Sequence, residues 1–116
     1  QEVTGVQTCA LPIFRSQGEI TGFEISGHAE SGPYGHDLVC AAVSAVSFGA
    51  VNAVISLCGF EPDVEQGGEG GYLKITLPEN LDEFIHAKAQ TLLEGMQVSL
   101  ETIEQEYDQY MKISQR

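Results

Sequence analysis

The chain of 116 residues has the length of one domain, enough to bury a core without disulfide or metal staples. Its 17 acidic and 5 basic residues leave a formal charge of −12, which excludes direct nucleic-acid binding, since neutralising phosphates needs clustered Lys and Arg. The same charge suits solubility, and it suits the attraction of a basic protein substrate.

The first segment, Val3 to Ile13, resembles the in-frame translation of a common short-read sequencing library adapter. Residues 1–13 therefore read as a non-native segment in place of the first strand, and the natural domain as 14–116; Cys9 receives no functional weight. Val, Thr and Ile in this segment still tolerate an extended chain. Ile13 to Arg15 reads as a strand end, Ser16-Gln17-Gly18 as a hairpin turn, and Glu19 to Ser26 as the returning strand. Phe23 and Ile25 mark its buried face, although Ile20 breaks the period. Ala29 to Gly35, with Gly32, Pro33 and Gly35, reads as a loop.

Asp37 is placed to cap a helix over Leu38–Leu57, which is apolar on nearly every side and is expected to be buried all round. Leu38 to Cys58 is uncharged over 21 residues, the length of a membrane span. Its Ala, Ser, Gly and Asn content and its acidic flanks favour a buried helix instead, with no membrane partner. Gly59 closes the helix. Glu61–Gln66 and Tyr72–Leu77 read as strands around the glycine turn 67–71, with Leu73, Ile75 and Leu77 on the buried face. Asn80 then caps an amphipathic helix whose apolar residues, Leu81, Ile85, Leu92, Met96, Leu100, Ile103, Tyr107 and Tyr110, recur at helical spacing. The order predicts a single α+β domain: a small mixed or antiparallel sheet, a central buried helix and a long C-terminal amphipathic helix.

Three cysteines without framework spacing argue for a reducing, cytoplasmic setting. Cys40 and Cys58, at the two ends of one helix, would lie about 27 Å apart, too far for a disulfide. Close behind the Asp37 cap, Cys40 would meet unpaired amides and the positive end of the macrodipole, which favour a thiolate and could hold an oxyanion. Its bland alternative is a small buried hydrophobe, the expected role of Cys58. His28 at the strand end and His36 four residues before Cys40 are both placed to act as base, and spacing does not choose between them; His86 reads as a surface residue. His28, Glu30, His36, Asp37 and Cys40 are also zinc-ligand types, but they lack paired metal spacing, so neither metal nor cofactor is expected.

Gly27-His28-Ala29, Gly35-x-Asp37-x-x-Cys40-Ala41-Ala42-Val43-Ser44, Ser47-x-Gly49-x-x-Asn52, Gly71-Tyr72-Leu73 and Leu92-Leu93-x-Gly95-Met96 together resemble the ribosomal-processing cysteine protease (Prp, YsxB-like) family. The resemblance implies a His28–Cys40 dyad, with His36 at a variable position and Asp37 and Ser44 supporting the site. It implies removal of the N-terminal extension of large-subunit ribosomal protein twenty-seven, a homodimer, and a loop between the dyad residues that orders on the substrate; the placement of Gly32 and Gly35 marks them as that loop's hinges. A non-catalytic ribosome-associated binding module is the competing reading.

Overall fold

The computed structural model describes residues 8–26, 34–67 and 72–116, and their side chains apart from those of 34–37. In chain order the elements are β1 (Cys9–Ser16), β2 (Glu19–Ile25), α1 (Tyr34–Cys58), β3 (Asp63–Gln66), β4 (Leu73–Thr76), α2 (Glu83–Tyr107) and β5 (Met111–Gln115). The strands form one mixed sheet, β3-β4-β2-β1-β5, antiparallel except for the β1–β5 pair. This is the expected α+β class.

The adapter-like residues take part in the sheet. Cys9, Leu11 and Ile13 alternate with their neighbours and are fully buried, as period-two geometry requires. Pro12 offers no amide to β2, and the β1–β2 pairing is interrupted between Ile13↔Phe23 and the isolated bridge Ala10↔Ser26. The hairpin turns where expected, with Gln17 and Gly18 both at positive φ (54° and 84°), the handedness that matches strand twist.

The pairing then slips from Phe14↔Gly22 to Arg15↔Ile20, which leaves Thr21 as an extra residue. Such a bulge reverses side-chain parity. Ile20 therefore joins Phe23 and Ile25 in the core, which accounts for the broken period. Gln90 of α2 completes the slip: its Oε1 accepts from the Ile20 amide at 2.9 Å, and its Nε2 donates to the Ile20 carbonyl at 2.7 Å.

α2 begins slightly later than expected, because the Asp82 carboxylate, rather than Asn80, accepts a capping hydrogen bond from the Phe84 amide. Its buried stripe is Ala89, Leu93, Met96 and Leu100. The helix stops at Tyr107, and the chain beyond it enters β5 alongside β1. That strand was not expected; helical spacing seemed to run on to Tyr110, and of β5 only Met111 is fully buried. Arg15 ties these parts together. Its guanidinium donates to both Glu94 carboxylate oxygens (2.8 and 2.9 Å) and also to Gln97, Gln115 and the Gly18 carbonyl. The pairing holds the Glu94 carboxyl below its ordinary range and the Arg15 guanidinium above its own.

α1 runs antiparallel to α2. Lys88 donates to the Leu57 carbonyl at one end, while Leu38, Val39 and Ala42 meet Ile103 and Tyr107 at the other. The helix is not buried all round. Only 33% of its apolar stretch is buried, and Leu38, Phe48 and Leu57 are 53%, 41% and 58% exposed. α1 gives Val39, Cys40, Val43, Val51, Val54 and Cys58 to the core, and among the described residues nothing covers its outer side. By length and composition it is the one helix among the described residues that could cross a membrane; its packed face makes it a core helix.

Candidate active site

Helix α1 opens at Tyr34, earlier than the Asp37 cap predicts. Pro33 precedes it in sequence, and proline's restricted φ and missing amide suit a helix start. Asp37 is thus a helical residue in the first turn and not the cap, and Gly35 and His36 are helical too. Cys40 moves into the second turn. The amides left without intrahelical partners belong to residues 34–36, so the oxyanion donors expected at Cys40 itself lie a turn away.

Cys40 is 1% exposed, within the core formed by α1, α2 and the sheet. Cys9, 0% exposed, lies in the same core, where its thiol is under the electrostatic influence of Cys40. Cys9 is held from behind, its amide donating to the Tyr110 carbonyl at 2.9 Å. Ser44, half-buried, follows one helical turn after Cys40. Leu38, Val39, Ala42, Ile103 and Tyr107 line an apolar cavity of about 300 Å³ on the flank of the same turn. At the end of β2, Ser26 exchanges backbone hydrogen bonds of 2.9 and 3.0 Å with Ala10, the neighbour of Cys9. The strand that leads to His28 therefore ends beside this cluster.

His28, Glu30 and Gly32 lie outside the described residues, as do the side chains of Gly35, His36 and Asp37. Among the described residues no group of three His, Cys, Asp or Glu side chains is placed to hold a metal ion. His86 sits at the opposite end of β2 from Ser26, its ring 2.8 Å from Glu19. Cys58 is core, as expected.

Burial, the hydrogen bond to Cys40 and the charge of Cys40 push the Cys9 thiol from 9.0 up to about 12. The folded state thus keeps a proton that the unfolded chain releases above pH 9, and stability from this group is full below pH 9 and lost as pH rises toward 12. Urea unfolding should show a loss of about 1.4 kcal/mol per pH unit over that window, which Cys9→Ala removes.

The family model described as "Cysteine protease Prp" matches residues 9–112. The chain belongs to the Prp family of cysteine proteases. It is 54% identical over 95 residues to the ribosomal processing cysteine protease Prp of Bacillus subtilis (strain 168), covering 82% of this chain and 85% of that one. Among solved structures, it resembles the essential ribosomal processing protease Prp of S. aureus in complex with a substrate peptide. That match has a TM-score of 0.82 at 36% identity, over 94% of this chain and all of the other. The same S. aureus protease with a covalently linked product peptide matches with a TM-score of 0.80 at 37% identity and 94% coverage of this chain.

As a Prp-family member the chain is a cysteine protease of ribosomal processing. Two features of the site escaped the sequence. Cys9, which the sequence reading gives no functional weight, is buried with Leu11 and Ile13, and the apolar alternation Cys9-x-Leu11-x-Ile13 signals that core-facing side chain. The apolar cavity joins the start of α1 to the end of α2, and no local pattern brings those together.

Proposed function

We propose that the chain removes the N-terminal extension of large-subunit ribosomal protein twenty-seven by a Cys40–His28 dyad. The observation that carries this is the position of Cys40, in the second turn of α1 and in one core with Cys9, whose neighbour Ala10 pairs with Ser26, two residues before His28 in sequence. His28 takes the thiol proton, and the Cys40 sulfur attacks the scissile carbonyl carbon. The unpaired amides of residues 34–36 at the start of α1 are offered as the oxyanion donors. As the C–N bond breaks, His28 returns the proton to the leaving amine, and water hydrolyses the thioester. The covalently linked product peptide of the S. aureus relative supports a route through an acyl-enzyme.

Since Cys40 is 1% exposed, substrate entry requires the cover over it to move. We assign that motion to the loop hinged at Gly32 and Gly35, with Asp37 and Ser44 supporting the turn that carries the thiol. The test is cleavage of the ribosomal-protein precursor by the chain and by its Cys40→Ala variant. Cleavage by the parent, with a loss of at least about 10³-fold in the variant, supports the reading; equal cleavage by both refutes it.

The working form is read as a homodimer in the cytoplasm. Free thiols at Cys9, Cys40 and Cys58 suit a reducing compartment. Leu38, Ala41, Ala45, Phe48, Gly49 and Asn52 form an uncharged, exposed stripe along α1, the kind of surface that a second copy covers. Phe48→Glu should therefore yield monomers in sedimentation equilibrium where the parent sediments as a dimer. Residues 1–13 are taken as non-native, with 9–13 occupying the place of the first strand ahead of the domain 14–116.

A further inference from the structure

We infer that the free edge of β3 is a docking edge for the precursor: an extended, basic segment of the ribosomal protein, C-terminal to the cleaved bond, adds to it as a further strand. The inference rests on the reading of the substrate as a ribosomal protein, whose body needs Lys and Arg to neutralise RNA phosphates. β3 is one of the two edges of the sheet, and Asp63–Gln66 are all exposed along it. The Gly67 amide donates to the Tyr72 carbonyl at 3.0 Å. The alternation of an antiparallel ladder then turns the backbone groups of Asp63 and Glu65 toward β4 and those of Val64 and Gln66 outward. Among the described residues nothing accepts from either outward amide.

The opposite edge is closed and carries the wrong charge. On β5 the Glu104 carboxylate accepts from the Ile113 amide at 2.9 Å, and Lys112 and Arg116 are basic. β3 instead carries Asp63 and Glu65, with Glu61 ahead of it, all exposed. Lys74 pairs with Glu65 in the ladder, but its ammonium reaches the other way, 3.9 Å from Glu24 and 5.8 Å from the centre of the Phe14 ring. Main-chain hydrogen bonds at Val64 and Gln66, with cations set against Asp63 and Glu65, suit a basic strand. The edge is also aligned with the site. Gln66 is level with Leu73 and Ile25, at the end of the sheet from which the chain continues in sequence to His28. A strand added to β3 runs roughly 14 Å from β2, a gap that about five extended residues cross. A segment leaving the dyad reaches Gln66 first and proceeds toward Asp63, which makes it antiparallel to β3, the more stable pairing.

The experiment measures, by fluorescence anisotropy, binding of the mature ribosomal protein, already without its extension, to the full chain. Asp63→Lys with Glu65→Lys should weaken binding by about tenfold or more. Glu83→Lys with Glu101→Lys, the same change in charge at exposed positions of α2, should cost about threefold or less. Val64→Pro removes an outward amide at constant charge and is tolerated because that N–H faces away from the ladder; it should weaken binding by about three- to tenfold. No binding by the parent, equal losses from the two charge reversals, or unchanged affinity for Val64→Pro would overturn the inference. Binding of the mature protein needs neither Cys40 nor His28, so this result is separate from whether the precursor is cleaved.

Discussion

His28→Ala is expected to lower the kcat/KM of precursor cleavage by about 10²–10⁴-fold, the range for loss of a general base, while His36→Ala leaves it within a few-fold. Both histidines lie near Cys40 in sequence, and His36, four residues earlier on α1, has the spacing of a helical neighbour. What favours His28 is the path of β2. Ser26 ends that strand against Ala10, next to Cys9, which is buried in the same core as Cys40. His28 follows Ser26 by two residues in sequence, a reach of at most about 7 Å. The base must be unprotonated to take the thiol proton, so its loss should remove the acid limb of the pH–rate profile as well as most of the rate. An inactive His36→Ala with an active His28→Ala would transfer the role to His36.

Gly22→Ala should destabilise the fold by at least about 3 kcal/mol, a large part of the 5–15 kcal/mol typical of a domain. Gly22 lies in β2, between β1 and β4, and pairs with Phe14 on one side and Thr76 on the other. A Cβ at this position runs into the Ile75 carbonyl, which is backbone of a paired strand and cannot swing aside. Relief would require β2 and β4 to separate just where Phe23 and Ile75 enter the core. Gly95→Ala is the matched contrast. Gly95 is in the middle of α2 with open space around it, and alanine there should stabilise by about 0.5–1 kcal/mol. Urea unfolding of both variants checks the pair; similar midpoints would refute the steric account of Gly22.

Local signals carried much of the architecture. Gln17-Gly18 marked the hairpin, Leu73, Ile75 and Leu77 the inner face of β4, and Gly59, at a φ of 78°, the end of α1. Each depends on near neighbours in the chain, where φ preference and period act directly. The failures were of another kind. α1 starts before Asp37, Ile20 changes face at a bulge, and Met111–Gln115 pairs as a strand although helical spacing ran toward it. The start of α1 follows Pro33, whereas at Ile20 and in β5 pairing with a remote segment outweighed a local pattern, and among the described residues the outer side of α1 has no such segment over it.

By itself the sequence determined the α+β class, the protease family and the placement of Cys40 near the start of a long apolar helix, because residue type and spacing express these directly. Only the tertiary structure decided that Cys9 joins Cys40 in one core, that the Cys40 amide lies a turn inside the helix, and that an apolar cavity opens beside Val39 and Ala42 of that turn. Parallel pairing of β1 with β5 and antiparallel packing of α1 on α2 join segments from opposite ends of the chain. The energy of such contacts belongs to burial and pairing between distant residues, which no local pattern encodes.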